Sequence, residues 1–152
     1  MPSTASDRQG DVHSMTSNTP KALTAAMIEN PAQDNVKDDA HTTVEELREL
    51  CRRFVAEREW AVYHSPKNLA MSIAIEAAEI MEHVQWLTGD ESRALVRDAE
   101  ARSALADELA DVVIYCLMLA NSAEIDVSQA VQAKLARNQR RFPPDVVRGR
   151  LG

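Results

Sequence analysis

A pair of carboxylates three residues apart, set within the apolar stripe of a helix, occurs twice in this chain. In the first stretch Leu69, Ile73, Ile80, Val84 and Leu87 recur at helical spacing, and Glu76-Ala77-Ala78-Glu79 lies among them. In the second, Leu105, Leu109, Val112, Cys116 and Leu119 recur in the same way around Glu108-Leu109-Ala110-Asp111. Residues three apart are neighbours on a helix surface, so each pair aims both carboxylates to one side. A single such acid would ordinarily be a core-edge side chain reaching water or an Arg. Two pairs invert that preference, because four carboxylates converging inside a bundle repel one another and raise their own pKa values unless a cation neutralises them. The chain must therefore fold so that two helices face each other across a bound positive charge.

Glu76, Glu79, Glu108 and Asp111 are accordingly the candidate metal ligands and catalytic acids. All-oxygen donors select a hard cation, Mg²⁺ or alternatively Mn²⁺, over Zn²⁺. A di-iron bundle would need a Glu followed three residues later by His, and the sequence contains none. His83 lies four residues after Glu79, where a His is more often packed than a ligand.

The remaining patterns fill out an all-α, antiparallel four-helix bundle with no strand signal. Thr43 and Glu46 make a capping box that opens a first helix running to about Trp60. Ser65 followed by Pro66 opens the second, which should close just before Gly89. Asp90 to Arg102 reads as a polar, partly helical connection, and the third helix, nearly apolar all round from Val112, should be central. Asp126 with Gln129 offers a capping box for a fourth helix ending near Arg141, before Pro143 and Pro144. Residues 1–42, rich in Pro, Ser, Thr, Asn and Asp, are expected to be a mobile tail holding at most a short helix over Lys21 to Glu29. Residues 43–145 then form the domain and 146–152 a C-terminal tail.

With 24 acidic and 17 basic residues the net charge is −7, so the surface is not suited to nucleic acid polymers or anionic membranes. The longest apolar run, Val112 to Ala120, is nine residues, half of the ~18 a membrane helix needs. Two distant Cys and no signal-like start point to a soluble protein of a reducing cytoplasm.

The few aromatic residues gather near the acids in sequence. Trp86 follows Glu79 by seven residues and Tyr115 follows Glu108 by seven, displacing each ring ~10 Å along its helix, about the reach from a phosphate to a base. Trp60 and His64 belong to the short connection that would bring them to the same mouth. Core filling is the ordinary role of any one of these rings. Lys134, Asn138 and Arg141 form one stripe on the fourth helix. Alone it would be a solvated basic face near a helix C-terminus. Next to an acidic metal centre and an aromatic platform, it suits a nucleoside triphosphate.

These residues resemble the MazG-like all-α nucleoside triphosphate pyrophosphatases, and in particular their dCTP pyrophosphatase branch. The resemblance spans about Thr43 to Pro143. It rests on the two acidic pairs, on Trp60-Ala-Val-Tyr-His64-Ser-Pro66-Lys-Asn68-Leu69, on Gln85-Trp86, on Tyr115, and on Lys134-x-x-x-Asn138-x-x-Arg141-Phe142-Pro143. It implies a homo-oligomer, dimer or tetramer, that uses Mg²⁺ held by Glu76, Glu79, Glu108 and Asp111 to hydrolyse a (deoxy)nucleoside triphosphate to monophosphate and pyrophosphate. Lys134 and Arg141 would hold phosphates, while Trp60, Trp86, Tyr115 and Asn138 would bound the base and sugar, across a subunit boundary where needed. Cys51 stands where that branch usually has His, and Phe142 where it has Tyr, so base selectivity is the property these departures touch. Competing readings are a non-catalytic helical module that binds a nucleotide or a partner, and a phosphoribosyl-ATP pyrophosphohydrolase-like activity.

Overall fold

The computed structural model describes residues 36–149; of the mobile tail expected over residues 1–42, residues 1–35 with the short helix expected over Lys21 to Glu29 lie outside the described residues, as do residues 150–152. Every regular element among the described residues is helical. They are α1 (Val44–Glu57), a 3₁₀ turn (Trp60–Tyr63), α2 (Pro66–Glu82), α3 (Gly89–Leu95), α4 (Ala99–Ser122), α5 (Val127–Arg141) and a final turn, α6 (Pro144–Val147).

Side-chain caps fix the helix starts. Thr43 and Glu46 exchange hydrogen bonds, the Thr43 N–H donating to Glu46 Oε2 at 2.7 Å and the Glu46 N–H to Thr43 Oγ1 at 3.1 Å. Ser65 accepts from the Asn68 N–H at 3.3 Å and Pro66 takes the first helical position, where its missing N–H costs nothing. Asp98 caps α4 and Asp126 caps α5, each through one backbone N–H. At α5 only the Asp126 half of the expected box forms. Thr88 with Glu91 forms a second full capping box and opens α3 inside what reads from the sequence as a polar connection.

Two helices stop earlier than their apolar spacing suggests. Past Glu57 the chain turns through Glu59, whose φ of 54° is left-handed, and re-enters a 3₁₀ turn instead of continuing to Trp60. That break swings Trp60 back onto Phe54, edge to face at 5.9 Å between centroids, with the Arg58 guanidinium 3.7 Å over the Phe54 ring. Likewise α2 ends at Glu82, and residues 83–86 form turns.

The core is small. Leu69, only 1% exposed, meets Cys51, Leu117 and Met118, with Val55, Tyr115, Leu119 and Val127 packed around them. α2 and α4 form the main helix pair and α1 lies on α4. Leu69 packs near Leu117 while Glu76 and Glu79 approach Glu108, so positions fall along α4 as they rise along α2 and the pair is antiparallel. Polar bonds clamp α1 to the far end of α4. Arg48 Nε and Arg52 Nη1 both donate to Asn121 Oδ1, at 2.9 and 3.1 Å, and Asn121 Nδ2 donates to the Arg48 carbonyl at 3.0 Å. Ser122 Oγ ties the 3₁₀ turn to α4 through the His64 carbonyl, at 3.0 Å.

Within one chain α5 does not complete the expected four-helix bundle. It is exposed along its length except for Val127 and Asn138, because its two interior apolar residues, Val131 and Leu135, find no buried seat. No helix among the described residues is long and apolar enough to cross a membrane.

The α1 cap carries a pH dependence. Glu46 is held down to about 2 by the Lys37 ammonium first, then by the Thr43 N–H and hydroxyl. A carboxyl lowered in the folded state stabilises it above the ordinary carboxylate pKa and loses that contribution as pH falls toward 2. Glu46→Gln should therefore melt below the wild type at pH 7, and thermal unfolding at falling pH should show the gap closing between about pH 4.5 and 2.

Candidate functional site

The antiparallel register of α2 and α4 brings the acidic pairs together. Glu76, Glu79 and Glu108 each offer a carboxylate oxygen within 4.8 Å of the others, Glu76 and Glu108 half-buried and Glu79 exposed. Asp111, one turn along α4 from Glu108, is exposed and close enough for its charge to be felt at Glu76. The Glu76 carboxyl is pushed above its usual range, chiefly by partial burial and then by Glu79, Asp111 and Glu108. Among the described residues no Lys, Arg or His forms an ion pair with any of the four. A cluster of oxygen donors that disfavours its own ionisation and has no protein cation fits a divalent hard cation. His83 caps the end of α2 and is not among the converging donors.

Beside the acids opens a cleft of about 560 Å³ between α1, the 3₁₀ turn and α4. Asp111 forms its acidic edge, and Trp60, His64 and Tyr115 line it together with Cys51, Phe54 and Met118. Three of the substrate residues singled out from the sequence thus share one mostly apolar cavity with one of the four acids. In the sequence Phe54 reads as an ordinary helix-stripe residue; its contact with Trp60 depends on the left-handed Glu59. Cys51 is buried, and burial raises its thiol pKa, so it presents a neutral S–H where a His would present ring nitrogens.

The other four candidates lie elsewhere within one chain. Trp86 does not continue the Glu79 face, since α2 has ended four residues earlier, and it stands 87% exposed. Lys134 and Arg141 are exposed on α5, Asn138 is half-buried there, and α5 lines neither this cleft nor the smaller cavity behind it.

The profile of the MazG-like family matches residues 71–146, which include both acidic pairs and the whole of α5. This chain belongs to that family. Cys51, Trp60 and His64 of this MazG-like protein fall outside the matched segment. The dCTP pyrophosphatase 1 of Bos taurus is 37% identical over 107 residues, covering 70% of this chain and 63% of that protein. The dCTP pyrophosphatase 1 of Homo sapiens is 38% identical over 106 residues, covering 70% and 62%. The chain thus spans less than two thirds of the length of these curated relatives. A pyrophosphatase crystal structure from Archaeoglobus fulgidus superposes with a TM-score of 0.63 at 39% identity, covering 72% of this chain and 99% of the other.

Proposed function

We propose that this MazG-like protein is a Mg²⁺-dependent nucleoside triphosphate pyrophosphohydrolase that acts on dCTP or a modified dCTP, releasing pyrophosphate and the monophosphate. The observation that carries the reading is the convergence of Glu76, Glu79 and Glu108 within 4.8 Å beside a cleft lined by aromatic rings and by Asp111. The names of the bovine and human relatives and of the archaeal structure support it.

Glu76, Glu79, Glu108 and Asp111 would hold the cation. When bound, Mg²⁺, or Mn²⁺ in its place, supplies Lewis acidity and positive charge against the phosphate oxygens. Glu79, exposed at the edge of the cluster, offers one oxygen to the cation and keeps the other free to accept the proton of the attacking water. Trp60 and Tyr115 bound the base in the cleft, with His64 beside it. Its low polarity favours a ring face over a charged group.

Lys134 and Arg141 hold phosphates, and Asn138 and Trp86 bound the sugar and base, from a second copy of the chain. Exposed apolar pairs at helical spacing support that homo-oligomer: Leu50 with Phe54, Met71 with Ile75, Leu109 with Val113, and Val131 with Leu135. Each leaves about one turn of apolar surface that a monomer would not hold in water on four helices at once.

A screen of nucleoside triphosphates and phosphoribosyl-ATP with Mg²⁺, read by pyrophosphate release, tests the proposal. Release from dCTP above the other nucleotides is the expected result. Preference for phosphoribosyl-ATP reassigns the substrate, and stoichiometric binding without release removes the enzyme.

A further inference from the structure

On the other side of the cleft wall lies a second cavity of about 290 Å³, itself open to solvent and lined by Arg52, Val55, Ala56, Ala61, Asn121 and Ser122. Cys51, His64 and Met118 line both spaces, so these three side chains are the partition between them. The partition is built from parts that can yield. Met118 is unbranched, with three rotatable bonds and a soft thioether that adapts to its surroundings. His64 carries a defect in the closed arrangement, since its Nδ1 is shut off from solvent and has no hydrogen-bond partner. Such an atom forgoes the hydrogen bonds it would make in water, a cost that is recovered when the ring turns toward a partner. The Ser122 hydroxyl, already bonded to the His64 carbonyl, lines the back cavity and can accept from an imidazole N–H. Displacing the partition thus relieves the unpaired His64 nitrogen at the same time as it joins the two spaces.

We infer that the back cavity is an annex of the base-binding cleft, opened by Met118 and His64, and that this partition sets how large a substituent on the base the protein accepts. The inference rests on the reading of the front cleft as the base site. Ala61 and Ala56 line the annex alone, whereas Met118 faces both spaces, so the annex can be filled without altering the front cleft. The substrates this adds are pyrimidine nucleotides carrying a group of several heavy atoms on a ring carbon or on the exocyclic amine.

The test uses the full chain with Ala61→Leu, which fills the annex from an exposed position, and Met118→Ala, which removes part of the partition; if circular dichroism shows one misfolded, Ala56→Leu replaces the first and Met118→Val the second. Two readouts are taken. Pyrophosphate release is compared between dCTP and its 5-propynyl and N4-propyl derivatives, and calorimetry compares binding of the corresponding nucleosides, which lack phosphates and so report on the base site without hydrolysis. Ala61→Leu should leave dCTP turnover unchanged and lower relative activity on the bulky derivatives about tenfold, the effect of overpacking a filled site. Met118→Ala should raise it. Unchanged ratios in both readouts overturn the annex. A shifted nucleoside preference with no pyrophosphate released from any nucleotide keeps the annex and defeats the hydrolase.

Discussion

Glu108→Ala is expected to lose pyrophosphate release by about a thousandfold, the scale on which removing one group that stabilises developing charge acts, while its helix content stays that of the wild type. Ala is the best helix former, and Glu108 makes no hydrogen bond or ion pair among the described residues that the fold would miss. Stability and function should therefore move apart. Glu76 titrates above the ordinary carboxylate range because it is partly buried and faces Glu79, Asp111 and Glu108. Its sign is opposite to that of Glu46. A carboxyl raised in the folded state binds more protons there than in the unfolded chain, so metal-free protein loses stability as pH rises through the window between the two pKa values. Removing Glu108 takes away one of the repelling charges, and the metal-free variant should lose less over that window than the wild type. Adding Mg²⁺ should reverse the order. Binding to the folded state alone stabilises by about 2.7 kcal/mol at a hundredfold excess over Kd, so the wild type should gain Tm with Mg²⁺ and Glu108→Ala should not. Thermal melts with Mg²⁺ and with EDTA, run beside the activity assay, decide the matter. Full activity, or a variant unfolded without metal, overturns the assignment of the centre.

What the sequence discloses and what it hides divide along a physical line. Helix starts are legible because a cap is a local exchange between a side chain and an N–H three residues on, as at Thr43, Ser65 and Asp126. The acid cluster is legible for a related reason, since the spacing of Glu76 with Glu79 and of Glu108 with Asp111 fixes each pair on its helix, and only the register of α2 on α4 remains to be supplied. Helix ends are harder to read. Nothing in the side chain of Glu59 announces a left-handed backbone, a conformation usually left to Gly or Asn, yet that residue ends α1 and creates the wall of the cleft. The early end of α2 takes Trp86 out of register with Glu79 in the same way, because apolar spacing through Val84 and Leu87 persists after the hydrogen bonds of the helix have stopped. The back cavity could not be anticipated at all. It arises where α1, the 3₁₀ turn and the end of α4 fail to fill the space among them, and no periodicity records a void.

Mixing two inactive variants should restore activity. Glu108→Ala lacks part of the acidic centre and Lys134→Ala lacks part of the basic stripe, and within one chain the helix bearing that stripe lines neither cavity. If the stripe serves the centre of its own chain, each variant stays inactive however they are combined. If it serves a neighbouring copy, an exchanged assembly contains one site built from the intact acids of one chain and the intact lysine of the other. For a two-fold dimer mixed in equal amounts, half of the assemblies are mixed and one of their two sites is whole, so activity should return to about a quarter of the wild type. Recovery should require subunit exchange, appearing after gentle dissociation and reassociation and not on simple addition in the cold. The apolar pairs left in water on α1, α2, α4 and α5 are the surface on which this exchange would depend. Leu135→Glu, placed one residue from Lys134 on that surface, should weaken assembly and abolish complementation together. Persistent inactivity of a mixture that sedimentation shows to be fully exchanged would return α5 to its own chain and require it to fold over the cleft on binding substrate.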